Sequence, residues 1–195
     1  MRKKDASKKE ALFHATQQIV IHEGFATLSM SKIATIAKVA PATLYTYFKN
    51  TDELLDELFM TLHLQLIKAV SEDFSQYKSY EKWFRKIWRN LYKFLITHPE
   101  DFAFSQQFKT SPRMKRLCLK KKCEDPSLQM REVIKRGQKE GVLKNLPKEA
   151  MHAFVFSPVV ELAQMKLAKI IQITPKVFQQ LEDLAWELLS VHKNK

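Results

Sequence analysis

Hydroxyl and ammonium groups are concentrated in residues 29–49. Serines, threonines, tyrosines and lysines there occupy two short stretches on either side of Lys38-Val39-Ala40. Such groups donate hydrogen bonds to phosphate oxygens and to base edges. Residues 1–50 also hold eight basic and only three acidic side chains, so this part of the chain attracts a polyanion. The chemistry indicated is the binding of a nucleic acid.

Patterns typical of catalysis or metal binding are missing from the sequence. We find no nucleophile beside a general base and no glycine-rich phosphate loop. The sequence has no CxxC and no histidine pair at i, i+4, and Cys118 and Cys123 lie five residues apart. The sequence therefore predicts neither an enzyme nor a metal site, and it requires no cofactor.

The hydroxyl groups of residues 29–49 must be positioned by two short helices, which follow a longer first helix. Apolar residues at helical spacing predict a first helix over residues 8–22, and Gly24 suits its end. Ser29 or Ser31 can cap a second helix, and Pro41 suits the first position of a third. Leu44 and Phe48 then face inward. This spacing is typical of a helix-turn-helix, whose second helix enters the major groove. An ordinary pair of helices inside a bundle is the alternative.

The local sequence also resembles a known family. Gly24-Phe25, Leu28-Ser29-Met30, Ile33-Ala34, Ala37 and the string from Thr43 to Phe48 are similar to the tetracycline-repressor (TetR) family over about residues 6–66. The resemblance implies an all-helical fold, with a three-helix DNA-binding domain over residues 1–50. It also implies a larger helical domain over 51–195 that dimerises and binds a small molecule. The DNA contacts it implies are Ser29, Ser31, Lys32, Pro41, Ala42, Thr43, Tyr45, Thr46, Tyr47 and Lys49.

Four positions depart from the family pattern, and one of them is Ala42, which stands where the family usually has a glycine in the helix. Lys38 stands in the turn where the family often has glycine, and Ala40 stands where it often has a capping serine or threonine. A missing cap costs about 1 kcal/mol. Thr51 replaces a lysine that is usual at the start of the fourth helix. We expect Lys38 or Lys49 to bind the phosphate that a lysine at position 51 would otherwise hold.

The rest of the chain also predicts helices. Only 3 of the 195 residues are glycine, and 45% are hydrophobic, which favours a packed all-α protein. A fourth helix should open at Thr51 and run to about residue 73. Later helices are predicted over 79–97, 100–109, 126–139, 148–170 and 175–192, with a kink at Ser157-Pro158.

Apolar surface dominates the last two predicted helices. The segment 148–170 is hydrophobic on nearly every side, and 177–191 adds a second apolar helix. We expect these helices to form a homodimer, and a monomeric core is the alternative. A small-molecule pocket is predicted from aromatic and methionine residues, although plain core packing fits them equally: Trp83, Trp88, Tyr92, Phe102, Phe108, Met130 and Phe154.

The net charge of +12 is uneven. Residues 67–123 carry 14 basic and 5 acidic side chains, with the bases clustered at 113–122. That cluster is interpreted as a solvated face, with anion recognition as the alternative. No apolar run is long enough to span a membrane, so the chain is predicted to be cytoplasmic.

The sequence as a whole predicts a transcriptional repressor that a small molecule releases from a palindromic operator in double-stranded DNA. The competing hypothesis is a helical interaction protein whose basic 113–122 face binds an acidic partner.

Overall fold

The computed structural model describes residues 3–71, 74–119 and 128–191. Regular structure in these ranges is helical, apart from one antiparallel bridge between Leu143 and Ser190. The predicted all-α class is confirmed. The helices are α1 (Lys3–Glu23), α2 (Met30–Ala37), α3 (Pro41–Tyr47), α4 (Thr51–Val70), α5 (Tyr80–Thr97), α6 (Pro99–Thr110), α7 (Pro112–Leu119), α8 (Leu128–Lys139), α9 (Lys148–Met151), α10 (Ser157–Leu167) and α11 (Pro175–Leu189).

Local signals set the starts of four helices. Ser29, Ser79 and Thr174 each accept a hydrogen bond from a backbone N–H in the first turn of α2, α5 and α11. Such caps satisfy donors that the helix itself leaves unpaired. α3 begins at Pro41, as predicted.

Several boundaries differ from the sequence prediction. α1 begins five residues earlier than the predicted residue 8, and α4 ends at Val70 rather than near residue 73. Helix α7, from Pro112 to Leu119, was not predicted at all. The segment predicted as one helix over 148–170 contains a π-helical turn at His152–Phe156 and ends at Leu167.

The described residues divide into two compact units. The first comprises the chain up to Leu64 together with the residues from Glu100 to Leu119. The second comprises Gln65–Pro99 and the residues from Leu128 onward. Helices α6 and α7 therefore pack in the same unit as α1, α2, α3 and the part of α4 up to Leu64. The functional boundary predicted after residue 50 remains a prediction.

The first unit has two groups of buried side chains. One joins α1 to the two short helices through Leu12, Ile33, Leu44 and Phe48. The other includes Leu55, Leu58, Phe59, Phe104 and Phe108, so it joins α4 to α6. The rings of Phe59 and Phe108 stack with centroids 4.3 Å apart.

The second unit is built around tryptophans of α5. Trp83 and Trp88 are buried with Phe84, Val155 and Leu189. The indole N–H of Trp88 donates to the carbonyl of Val155 across 3.0 Å. That carbonyl lies in the π-helical turn at His152–Phe156, which precedes Pro158. No helix in the described ranges is long and apolar enough to cross a membrane.

Candidate nucleic-acid interface

Helix α2 has a side-chain cap at its start and ends in a left-handed residue that leads into α3. The N–H of Lys32 donates to Ser29 Oγ across 3.3 Å, which caps α2. Ile33 and Ala34 are buried in the cluster that joins α1 to α2 and α3. Lys38 ends α2 with φ 54° and ψ 40°, the left-handed conformation that favours glycine. That conformation costs a residue with a Cβ about 1–2 kcal/mol.

Helix α3 is anchored by its apolar side. Leu44 and Phe48 are almost completely buried, and the Phe48 ring lies 5.9 Å from that of Phe13 in α1. Because one side of the helix is buried, the opposite side faces solvent. Tyr45 there is 58% exposed. This is the arrangement that lets a helix enter the major groove.

The ten residues implied as DNA contacts lie on α2, on α3 or directly beside them. Seven are exposed: Ser29, Ser31, Pro41, Ala42, Tyr45, Thr46 and Lys49. Lys32, Thr43 and Tyr47 are partly buried. The Thr46 hydroxyl donates to the Thr43 carbonyl across 2.6 Å, and the Lys32 ammonium is paired with Glu23. The structure brings the ten positions together, and their contact with DNA remains a prediction.

An ion-pair cluster braces the start of α4. Asp52 accepts hydrogen bonds from Arg113 and Arg116 of α7, the latter across 2.7 Å. The hydrogen bond from Arg116 is the largest influence on Asp52 and holds the pKa of its carboxyl below the usual value. The interpretation of 113–122 as a solvated face is therefore wrong for these two arginines. Lys120, Lys121 and Lys122 lie outside the described residues.

The residues proposed for a small-molecule pocket do not form one group. Trp83 and Trp88 belong to the buried core of the second unit, with Tyr92 and Met130 partly buried against it, and Phe102 and Phe108 are buried in the first unit. Phe154 is 64% exposed. Aromatic spacing alone does not distinguish core residues from a binding site, and the role of these residues in ligand binding remains a prediction.

The second unit does contain an open groove of about 390 Å³. Its lining residues are Arg89, Tyr92, Ile173, Thr174, Pro175, Phe178 and Gln179. Tyr92 is the single member of the predicted set among them, and burial raises the pKa of its hydroxyl. The sequence signalled this place only as the break at Thr174-Pro175.

Known proteins share both the sequence and the architecture. Residues 12–58 match the model of bacterial regulatory proteins of the tetR family, and residues 79–190 match a tetracyclin repressor-like C-terminal domain. A helix-turn-helix transcriptional regulator from Haemophilus influenzae is 26% identical over 97% of this chain and 99% of its own.

Solved structures of regulators from this family have the same architecture. A TetR-family transcription regulator from Marinobacter aquaeolei is 28% identical, with a TM-score of 0.88 over 98% of this chain and 100% of its own. A TetR-family regulator from H. influenzae gives 27% identity and a TM-score of 0.81 over 97% of this chain and 100% of its own. With its exposed α3 and a family match over more than half of its length, the chain belongs to the TetR family of helix-turn-helix transcriptional regulators.

Proposed function

We propose that the protein is a homodimeric repressor that binds a palindromic operator through α3 and leaves it when a small molecule binds. The observation that carries this proposal is the exposed face of α3 on a buried anchor of Leu44 and Phe48. The protein acts by binding rather than by catalysis, in the cytoplasm.

The mechanism of repression depends on the distance between the two α3 helices of the dimer. Two α3 helices of a dimer read half-sites about one helical turn, or a multiple of it, apart. An effector bound to the second unit favours a separation of the two α3 helices that no longer matches the operator. The coupling between effector and operator equals the difference in effector affinity between the two states.

Selection from random duplex DNA tests the proposal directly. We expect a palindromic sequence to be enriched and to bind the protein stoichiometrically. Replacing Tyr45 and Thr46 together with alanine should abolish this binding without changing the melting temperature, since both side chains are exposed. Thr35→Ala is the matched control, because Thr35 is an exposed threonine of α2 with a similar hydroxyl-to-backbone bond. Failure to enrich any duplex would refute the proposal.

The composition of α3 suggests how the operator is read. Its exposed face has no arginine, lysine, asparagine or glutamine, the residues that make bidentate contacts to guanine or adenine. We propose that Pro41, Ala42 and Thr43 contact thymine methyl groups. Replacing thymine by uracil should then weaken binding at one or two definite positions of each half-site. Unchanged affinity at every position, with dependence on one guanine, would exclude this readout.

The alternative of an acidic partner bound at 113–122 has less support from the structure than from the sequence. Arg113 and Arg116 are already paired with Asp52, so the segment offers a partner fewer free cations than its sequence suggested.

A further inference from the structure

Lys32 is held by a carboxylate of its own protein. Its ammonium pairs with Glu23, and the two side chains are 33% and 44% exposed. Glu23 is the last residue of α1, where the negative end of the helix dipole disfavours an acid. The pairing with Lys32 offsets that unfavourable position. Since both partners reach solvent, an outside anion can replace Glu23.

The groups around Lys32 are suited to bind a DNA phosphate. Lys32 lies in the first turn of α2, next to Ser31. Its backbone N–H donates to the hydroxyl of Ser29, which caps the helix. Hydroxyls, ammonium groups and the first turn of a helix are the groups that hold DNA phosphates. A phosphate at Lys32 would meet the carboxylate of Glu23 at the same ammonium. Two anions at such a distance repel each other, so Glu23 opposes the contact whether it leaves Lys32 or stays.

We propose that Glu23 is an internal competitor for DNA, which occupies Lys32 in the free protein and is displaced by a backbone phosphate in the complex. This inference rests on the proposed function. Phosphate contacts are independent of sequence, so Glu23 weakens binding to the operator and to other duplexes by the same factor. Glu23 therefore lowers the affinity for all duplex DNA and leaves the ratio of operator to non-specific affinity unchanged.

The size of the effect follows from the kind of ion pair. Exposed pairs contribute about 0.2–1 kcal/mol, so freeing Lys32 should tighten binding by at most about fivefold. The removal of repulsion from the Glu23 carboxylate adds to this factor. A double-mutant cycle separates the two effects, because the repulsion is present with or without Lys32.

The experiment compares wild type, Glu23→Gln, Lys32→Gln and the double variant. Affinity is measured by fluorescence anisotropy for the selected operator and for an unrelated duplex, over a range of potassium chloride concentrations. Glu132→Gln is the matched control, since Glu132 is an exposed acid of α8 that also pairs with a lysine, Lys135. The melting temperature shows that each variant is folded.

We expect Glu23→Gln to tighten both duplexes by about two- to fivefold more in the presence of Lys32 than in the Lys32→Gln background. Lys32→Gln should weaken binding and lower the salt slope by about 0.9. Glu132→Gln should leave both quantities near wild type.

Three results would overturn the inference. Equal effects of Glu23→Gln with and without Lys32 would show that Glu23 acts by general repulsion. An unchanged affinity and salt slope in Lys32→Gln would show that Lys32 does not reach DNA. If wild type and all variants bind neither duplex, the proposed function itself fails, and the inference fails with it.

Discussion

At the scale of single residues, Glu182 is a buried acid in the second unit that requires charged partners. It lies on α11, is completely buried and carries a carboxylate. Arg89 of α5 binds both oxygens across 2.6 Å, and Arg85 adds a bond of 3.1 Å. The bonds to Glu182 are the largest influence on Arg89 and raise the pKa of its guanidinium. A buried carboxylate is tolerated only when it is paired in this way.

Glu182→Gln should therefore destabilise the protein. The amide keeps the shape of the side chain but removes the charge that binds two arginines. We expect the free energy of unfolding to fall by about 1–3 kcal/mol, near the lower end because Arg89 is half exposed. Urea unfolding measures the change. Glu187→Gln is the control, because Glu187 is an exposed acid on the same helix. Equal stability of the two variants would show that the pairing contributes nothing.

Asp52 makes the stability of the folded protein depend on pH. Its carboxyl has a pKa below the ordinary value of 3.8, chiefly because Arg116 donates a hydrogen bond to it. A lowered pKa stabilises the folded state at every pH above the ordinary value. This stabilisation is lost as the pH falls through the pKa of the folded protein.

Asp52→Asn should remove that dependence. The variant should be less stable than wild type above the ordinary pKa, and the difference should shrink as the solution is made more acidic. Urea unfolding at a series of pH values provides the comparison. A difference that stays constant into strong acid would mean that Asp52 stabilises the protein through packing rather than charge.

At the scale of helices, α3 lacks the cap that α2 has. Ala40 precedes Pro41 and makes no side-chain bond to the first turn, whereas Ser29 caps α2. We expect Ala40→Ser to stabilise the protein by about 1 kcal/mol, because the hydroxyl can accept a bond from the backbone of α3. Ala40→Val is the control, since valine caps as poorly as alanine. Thermal unfolding distinguishes them, and an equal melting temperature for both variants would contradict the expectation.

The helix features that the sequence predicted depend on neighbouring residues, whereas the helix that it missed depends on residues far away in the chain. The cap at Ser29, the start at Pro41 and the buried pair Leu44 and Phe48 depend on neighbours within a few residues, so the sequence predicted them. α7 was missed because it has only eight residues, and its three basic residues belong to the cluster that was interpreted as a solvated face. It is held in the fold by Leu117, which is buried with α4 and α6, and by the ion pairs with Asp52, about sixty residues earlier in the chain. No local pattern carries that information.

The candidate site shows the same limit. The exposed positions of α3 followed from periodicity once Leu44 and Phe48 faced inward. The Glu23–Lys32 pair could not be foreseen, since it depends on how the end of α1 meets α2. The groove beside Tyr92 was missed for a similar reason, because its walls come from α5 and from residues 173–179, far apart in sequence.

At the scale of the whole molecule, apolar surface remains uncovered along α11. Leu184 and Leu188 are 56% and 47% exposed, and Val191 follows with 42%. The spacing of four residues places Leu184 and Leu188 on one face of α11, and Val191 lies just beyond the end of that helix. Leu181, which the sequence placed in the same apolar helix, packs against the core of its own unit. Replacing Leu181 would therefore test folding, and the exposed pair is the better test of assembly.

Leu184→Glu combined with Leu188→Glu should convert a dimer into folded monomers. Two carboxylates on each copy would face an apolar partner surface, where an unpaired charge is strongly disfavoured. Because both side chains are already exposed, the fold of each copy should survive, with an unchanged helical signal in circular dichroism. Sedimentation velocity gives the mass. Gln180→Glu is the control, since it adds a charge at an exposed polar position of α11. A wild-type protein that sediments as a stable monomer at micromolar concentration would show that this face serves another purpose.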